Sequence, residues 1–280
     1  MAGTVLAVRS KDLYPAIFSR HAEAYERRLE QIMSRGEARG RQRAIELLEA
    51  APGMRVLDLA CGPGNLTARV APLVFPGGAV VGVDLAPGMI ERARKRRIAG
   101  ATFEVMDIEQ LAFPDASFDA ALCGHGLQFV PDLARALAEA RRVLRPGARF
   151  AASVPVGSPS QGVLDLLGAV VDRHLPPPPR PVDQDTTRRL VSDPEALAAA
   201  ARVASFESAR VETIEEKVVW QSAEQLVALC TSWWDCAVRM EGLDAGARAM
   251  FVDDAIATLA RDHPGRIETT ARNLILLAVA

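Results

Sequence analysis

A short loop with two glycines separated by one residue is the segment of this sequence best suited to hold a ligand. Residues 58–65 read DLACGPGN, with Gly62 and Gly64 as the pair. Glycine lets the backbone turn tightly and lets a ligand approach the main chain. An apolar run precedes the loop and a helical pattern follows it. We therefore expect the loop at the carboxyl end of a strand, where open α/β sheets bind nucleotides, although ordinary tight turns share this spacing.

Two further carboxylates follow the next two apolar runs of the chain. Asp84 ends the run AVVGVD, and an acidic residue there can accept hydrogen bonds from both ribose hydroxyls of a nucleoside. Asp107 ends the run ATFEVMD, where the adenine end of the same ligand would lie. Together with Asp58, three acidic residues stand at the ends of three consecutive predicted strands. Turn chemistry alone does not explain this pattern.

The sequence also limits which nucleoside can bind. A dinucleotide-binding loop needs a third glycine, but Thr67 stands at that position, and the sequence has no GxxxxGK[ST] phosphate loop. The carboxylate of Asp58 would repel a pyrophosphate and attract an ammonium group. These residues therefore favour a nucleoside with an amino-acid tail over a dinucleotide.

Residues 56–65 (VLDLACGPGN) resemble motif I of the class I S-adenosylmethionine-dependent methyltransferases, and residues 80–90 (VVGVDLAPGMI) resemble their second motif. The resemblance runs continuously over residues 54–155 and is specific to the UbiE-like, type 11 small-molecule branch. It extends to the segments around the fourth and fifth strands, residues 113–120, 126–132 and 141–147. Two mild departures are Ala60 at the first glycine of motif I and Ala148 at the last position of a Pro-Gly-Gly turn.

The resemblance implies S-adenosylmethionine as the cofactor, S-adenosylhomocysteine as its product, and a role for each matched residue. Asp58 and the backbone from Ala60 through Gly62 to Gly64 would hold the methionine part, and Asp84 would hold the ribose. The residues implied to contact the adenine are Leu85, Met89, Asp107 and Ile108. Residues 123–127, beginning with Cys123, would line the floor beneath the sulfonium.

Three side chains are candidates to contact the reacting atoms. His125 follows the fourth predicted strand, next to the expected position of the reactive methyl group, and it could be a general base or a wall residue. His21 and Tyr25 are four residues apart on a predicted N-terminal helix and share a face, so they either reach the pocket or pack against the core. Trp233 and Trp234 are equally consistent with a substrate wall and with plain core.

Apolar runs that alternate with helical patterns must position these residues. Such strands, apolar throughout, indicate a parallel sheet covered on both faces. We predict an α/β, Rossmann-like, doubly wound sheet of seven strands, mostly parallel with one antiparallel strand from residue 266 onward, plus helical lid elements. The strands are expected at residues 54–60, 79–84, 101–107, 117–123, 148–155 and 269–280, with one or two more in 206–220.

The remaining segments predict a lid around this core. Residues 1–50 form an N-terminal helical lid, divided at Gly36 and Gly40, and residues 51–155 form the cofactor-binding core. Residues 156–204 form a second lid segment, with a helix start capped by Ser192. Residues 205–280 complete the sheet and carry a helical insertion at 221–262. The lid segments contain many apolar residues, which suggests a partly hydrophobic substrate such as a polyketide, isoprenoid or quinol.

Composition narrows the class of protein further. The 280 residues carry a formal charge of −2, which argues against a strong general attraction to nucleic acid or anionic lipid. A basic run at 92–97 lies on a predicted covering helix and is more typical of a solvated face. The four cysteines are too scattered for a disulfide framework, and no metal site is expected. We expect a cytoplasmic monomer or homodimer with a small-molecule substrate, no nucleic-acid partner and no membrane span.

The function predicted from these features is methyl transfer from S-adenosylmethionine to carbon or oxygen of a small metabolite. One alternative is a protein that keeps the methyltransferase fold but catalyses another reaction, such as a cyclisation. Another alternative is an RNA or protein methyltransferase. The net charge, and the lack of an Asn-Pro-Pro-Tyr-type motif after the fourth strand, count against that second alternative.

Overall fold

The computed structural model describes residues 8–157 and 162–280, and within them one seven-stranded sheet has the order β3-β2-β1-β4-β5-β7-β6. The strands are β1 (Arg55–Leu59), β2 (Ala79–Asp84), β3 (Ala101–Val105), β4 (Phe118–Gly124), β5 (Leu144–Val156), β6 (Ser208–Trp220) and β7 (Ile267–Val279). β7 runs antiparallel to both of its neighbours, and the pairs from β3 to β5 are parallel. The predicted sheet with one antiparallel strand is therefore confirmed.

The sheet separates two apolar cores because successive residues of a strand point to opposite faces. Leu57 and Leu59 of β1 belong to one core, whereas Val56 belongs to the other. Helices cover both faces: α3 (Arg39–Leu48), α4 (Thr67–Val74), α5 (Pro87–Lys95), α6 (Leu133–Val143), α8 (Asp185–Ser192) and α9 (Pro194–Val203). This doubly wound arrangement brings the carboxyl ends of β1 to β4 to the same edge of the sheet.

The helices outside this core lie where lid segments were predicted. They are α1 (Ser10–Arg20), α2 (Ala22–Ser34), α7 (Val163–His174), α10 (Ala223–Cys230), α11 (Trp234–Met240) and α12 (Ala245–Asp262). The predicted helix at 160–175 begins at Val163 in the structure, and its residues 160–161 lie outside the described part of the chain. The basic run on α5 faces α2 in part, since Arg92 and Arg96 donate to Glu26 over 2.6 and 3.3 Å.

Two predicted boundaries are wrong, each for a local reason. Gly40 does not divide the N-terminal helices, because it lies inside α3; a Cβ there would come within 2.7 Å of Cγ of Asn273, so this glycine lets β7 approach α3. Ser192 does not cap a helix. Asp193 caps α9, accepting from the backbone N–H of Ala196 over 2.7 Å, while Ser192 ends α8. The prediction chose the wrong one of two adjacent capping residues.

Candidate active site

The loop after β1 has an unusual backbone that brings main-chain N–H groups toward β2. Ala60, Gly62 and Gly64 have φ values of 52°, 55° and 78°, in the left-handed region that favours glycine. Ala60 adopts this conformation although it carries a Cβ. The motif's glycine would adopt it without the steric cost that alanine has. A Cβ on Gly64 would come within 3.1 Å of the Phe103 ring, so packing also requires glycine there.

Asp84 joins the loop to the next helix from the end of β2. Its Oδ2 accepts the backbone N–H of Gly62 over 2.9 Å, and its Oδ1 accepts that of Ala86 over 2.8 Å. Burial raises the pKa of this carboxyl, and the two backbone donors oppose that rise. Each carboxylate oxygen keeps a further acceptor site, so Asp84 can hold hydroxyl groups while it holds the loop.

Asp58 lies behind the loop, where only 1% of its surface is exposed. Its Oδ2 accepts from the Thr67 hydroxyl over 2.6 Å, but its Oδ1 is buried without a partner among the described residues. Burial raises the pKa of this carboxyl to about 7, and the nearby charge of Asp84 adds to the effect. A cationic group of a ligand near this carboxyl would favour its ionised form and so oppose the effect of burial.

We expect Asp58→Asn to stabilise the free protein at pH 8 while weakening its affinity for a cationic ligand. The raised pKa of Asp58 means that its contribution to stability is fully present below 3.8 and is lost as the pH rises through about 7. The neutral amide has no such loss, so the variant should exceed the wild type in free energy of unfolding by about 2 kcal/mol at pH 8. Urea unfolding at several pH values measures this.

Asp253→Asn is the matched control for that experiment, since Asp253 is exposed on α12. The stability difference between Asp58→Asn and the wild type should grow between pH 5 and pH 8, by about 2 kcal/mol. The control should show no such growth. A difference that stays constant with pH would contradict the assignment of a raised pKa to Asp58.

A cavity at this edge of the sheet, here called the loop cavity, brings together most of the predicted cofactor residues. On the sheet side it is bordered by Ala60, Gly62, Asp84, Leu85, Ala86, Met89, Asp107 and Ile108. On the lid side α1 contributes Ser10, Lys11, Tyr14, Pro15 and Phe18. The loop cavity therefore has the acidic and apolar sides that a nucleoside requires, under a helical roof.

Asp107 is already engaged by the roof. Its Oδ2 accepts from Nζ of Lys11 over 2.6 Å, and its Oδ1 accepts the backbone N–H of Glu109 over 2.9 Å. Lys11 also lies 2.5 Å from the buried carboxylate of Glu109, and the two carboxylates raise the pKa of the lysine against the opposing effect of burial. Lys11 thus links α1 to Asp107, the residue predicted to contact the adenine.

A second cavity of about 870 Å³, here called the large cavity, lies beside the loop cavity. Its walls come from α2, α3, the lid helices α7, α10 and α11, and the strands β6 and β7. Trp220, Trp233 and Trp234 border it, so the sequence interpretation of the tryptophan pair as a substrate wall is consistent with its position. The large cavity can accommodate a polycyclic molecule.

Five side chains border both cavities and form their shared wall: Tyr14, Phe18, Tyr25, His125 and Phe129. The rings pack edge to face, with Tyr14–Phe129 and Phe18–Phe129 centroids 4.8 and 5.1 Å apart. Tyr14 donates to Gln184 over 2.7 Å. The shared wall is therefore largely apolar, and the hydroxyls of Tyr14 and Tyr25 both have hydrogen-bond partners.

His125 is the member of the shared wall with an unused polar atom. Its Nε2 is buried without a partner among the described residues, while the ring makes a side-chain hydrogen bond with Asn273. Burial, with the charges of Arg41 and Arg28, holds the pKa of His125 well below 6.5. Its φ of 63° lies in the left-handed region. This backbone conformation costs free energy in a residue other than glycine, and it persists only where the surrounding structure enforces it. A neutral imidazole therefore stands in the shared wall, with its Nε2 buried.

The family comparison gives this geometry a context. Residues 57–152 match the family described as "Methyltransferase domain" (Methyltransf_11). Residues 57–152 are a methyltransferase domain. The match lies within the stretch of 54–155 over which the sequence resembles the class I family, so the predicted resemblance is confirmed there.

Two curated relatives match between about two fifths and one half of this chain. The chain is 36% identical over 140 residues to the demethylmenaquinone methyltransferase of Symbiobacterium thermophilum, covering 48% of this chain and 55% of the relative. It is 40% identical over 119 residues to the aklanonic acid methyltransferase DauC of Streptomyces sp. strain C5, covering 41% and 54%. The chain thus spans about half the length of each of these relatives.

A solved structure extends the likeness of fold beyond the methyltransferase domain. The [4+2]-cyclase SpnF superposes with a TM-score of 0.55 at 17% identity, covering 97% of both chains. At this identity the likeness concerns the fold alone. The likeness of fold therefore includes the helices outside the methyltransferase domain.

Some predicted site residues lie away from the cavities of the methyltransferase domain. Cys123 is fully buried in the core and does not border the loop cavity, so the expected contact beneath the ligand falls to its neighbours Gly124 and Gly126. Asp58 and Gly64 border neither cavity. His21 points elsewhere, since its Nε2 lies 2.7 Å from Oε1 of Glu241 on α11's end, and it borders neither cavity.

Sequence reasoning missed several residues of the site. Tyr25 was foreseen, but not the arginines against it: Arg41 donates to its hydroxyl over 3.3 Å, and the Arg28 guanidinium lies 5.0 Å from its ring centroid. Lys11 and Asn273 were missed as well. None of them belongs to a motif, so no local signal could have found them. The described residues contain no group of three metal-ligating side chains and no helix able to cross a membrane.

Proposed function

We propose that the protein transfers the methyl group of S-adenosylmethionine to a small, partly hydrophobic molecule held in the large cavity. The observation that carries this proposal is the shared wall. The two cavities adjoin at His125 and the rings beside it, so a ligand in one would approach a ligand in the other there. Methyl transfer needs such an arrangement, because donor and acceptor must approach in line.

The residues of the loop cavity fit S-adenosylmethionine. The left-handed loop would hold its amino-acid end, with the charge of the buried Asp58 behind it, and the free acceptor sites of Asp84 would serve its ribose. Leu85, Met89 and Ile108 would pack on the adenine. When bound, the cofactor supplies a methyl group already activated on a sulfonium.

The chain's own contribution is placement, exclusion of water and movement of a proton. The roof helix α1 closes the loop cavity over the ribose and adenine sides, and the aromatic rings keep the junction apolar. The neutral Nε2 of His125 can accept a proton from an acceptor hydroxyl or acidic C–H that reaches the junction. No nucleophilic triad is needed for this chemistry.

The relatives support a hydrophobic acceptor. Their names state that they act on demethylmenaquinone and on aklanonic acid, and the tryptophans of the large cavity suit an aromatic body of that kind. Methylation on carbon or on oxygen, a quinol or polyketide acceptor, a cytoplasmic location and a monomeric or homodimeric state are all part of this proposal. The absence of a nucleic-acid partner is part of it too.

Labelled cofactor tests the proposal directly. The protein is incubated with methyl-labelled S-adenosylmethionine and a metabolite extract, and binding of S-adenosylhomocysteine is measured by calorimetry. Label in a small hydrophobic product supports the proposal, and label in RNA or protein overturns the small-molecule assignment. Tight cofactor binding without any label transfer would favour a non-methylating reaction, such as the cyclisation named for SpnF.

A further inference from the structure

Of the four arginines that border the large cavity, Arg28 and Arg41 both stand against Tyr25 of the shared wall, and this further inference about them rests on the proposed function. Arg28 of α2 and Arg41 of α3 both contact Tyr25, one over its ring and one at its hydroxyl. Their charges therefore stand within about the length of one tyrosine side chain of each other. The charge of Arg41 accordingly lowers the pKa of Arg28, in addition to the effect of burial.

Neither guanidinium forms an ion pair within the described part of the chain. Arg28 donates to the carbonyl oxygen of Ser232 over 2.6 Å, and Arg41 has only the Tyr25 hydroxyl. Nε of Arg41 is buried without a partner. Since a guanidinium carries five N–H donors, most of their hydrogen-bonding capacity is unused. By contrast, Arg43 on the same helix α3 pairs with Glu212 over 2.5 Å.

Among the described residues, the acidic side chains along this wall form no ion pair with either arginine, although the charge of Arg41 lowers the pKa of Glu216 against the larger effect of burial. Glu37 lies 3.1 Å from Arg35, and both carboxylate oxygens of Glu216 accept the backbone N–H of Arg39 over 3.2 Å. Asp235 borders the cavity and acts on Arg28 only as its weakest electrostatic influence. Two cations crowded at the edge of an apolar cavity are costly unless an anion joins them.

We propose that Arg28 and Arg41 bind a carboxylate of the methyl acceptor, so that the substrate is a hydrophobic aromatic acid. Arginine presents paired N–H groups that match the two oxygens of a carboxylate. The apolar body of the acid would then lie against Phe129 and Trp234, whose rings are 6.2 Å apart. The carboxylate thereby fixes which atom of the substrate lies at His125.

This arrangement couples substrate binding to the base. Arg41 and Arg28 both lower the pKa of His125. A bound carboxylate neutralises part of their charge and so raises the pKa of the imidazole, which makes it a stronger base once the acid is in place. The unliganded protein keeps His125 neutral, and the substrate itself improves the proton acceptor.

Two fluorescent probes that differ only at one end test the proposal. 1-Pyrenebutyrate carries a carboxylate, and 1-pyrenebutanol carries a hydroxyl on the same aromatic body. The wild type should bind the acid at least about tenfold more tightly than the alcohol, and Arg41→Gln should lower affinity for the acid by about 10- to 100-fold. The alcohol should change by less than about twofold. Quenching of tryptophan fluorescence by the pyrene reports both affinities.

Matched variants separate charge from folding. Arg43→Gln removes a paired arginine from the same helix and should leave both probes unaffected, while Arg41→Lys keeps a cation and should retain much of the preference for the acid. Arg28→Gln should act in the same direction as Arg41→Gln. Equal affinity of the wild type for both probes, or an equal loss of both in Arg41→Gln, would overturn the proposal.

Binding of S-adenosylhomocysteine distinguishes failure of this inference from failure of the proposed function. Calorimetry of the wild type and of Arg41→Gln measures ligand binding in the loop cavity, which neither Arg28 nor Arg41 borders. Normal cofactor binding without a preference for the acid would refute only the carboxylate subsite. A preference for the acid in a protein that does not bind the cofactor would refute the proposed function instead.

Discussion

Replacing His125 with asparagine is expected to lower kcat by about 10²- to 10⁴-fold if the acceptor reacts through a hydroxyl. The imidazole Nε2 is the unused polar atom of the shared wall, and asparagine offers no basic nitrogen in its place. Affinity for S-adenosylhomocysteine should stay within about twofold, because the contacts with the nucleoside are untouched. Steady-state kinetics with the acceptor found by labelling, together with calorimetry, measure both quantities.

Asparagine is the right replacement because of the backbone. His125 has a φ of 63°, and asparagine tolerates this left-handed conformation better than alanine does. His125→Ala would combine loss of the base with strain in the turn, so a larger loss in that variant than in His125→Asn measures the strain. Turnover near that of the wild type in His125→Asn would mean that His125 is only wall, and Tyr25→Phe would then test the other candidate.

The pH profile gives an independent check on the same residue. The pKa of His125 lies well below 6.5 in the free protein, so its protonation should limit kcat/KM only on the acid side. Arg41→Gln removes one of the charges that lower this pKa and should move the acid limb to higher pH. A structural role for His125 predicts no movement of that limb.

The core of the fold was predictable because its signals are local. β2 spans Ala79–Asp84, the same residues that the apolar run predicts, and β7 begins at Ile267, one residue from the predicted start of the antiparallel strand. Loop length and strand composition act over ten to twenty residues, so one sequence suffices to read them. The acidic residues at the strand ends came together for the same reason.

The site beyond the motifs depends on contacts between distant parts of the chain. In the sequence, Gly40 is typical of a helix break. In the structure it leaves room for the side chain of Asn273, which forms a hydrogen bond with His125. Helical spacing would place His21 and Tyr25 on one face. The helix is interrupted at His21, between α1 and α2, and the imidazole of His21 lies against Glu241 instead. Helical periodicity cannot foresee either event, because it assumes that the helix continues.

Asp84→Ala is expected to weaken binding of S-adenosylhomocysteine by roughly 100-fold. Hydrogen bonds from two ribose hydroxyls to a charged acceptor would be lost. So would the bonds by which Asp84 holds the N–H groups of Gly62 and Ala86. Asp84→Asn keeps one acceptor oxygen and should lose affinity by about tenfold. Calorimetry measures both variants, with exposed Asp253→Asn as a control that should bind normally.

Because Asp84 also supports the loop, the ligand itself must be varied to locate the contact. An analogue of S-adenosylhomocysteine that lacks the ribose 2′-hydroxyl should bind the wild type more weakly, by about tenfold. If Asp84 accepts that hydroxyl, the analogue and the natural product should bind Asp84→Ala with nearly equal affinity, since the interaction is already gone. If the two losses instead add in full, Asp84 shapes the loop without touching the ribose, and the hydroxyl has another partner. The cycle thus separates a ligand contact from a structural brace at the same carboxylate.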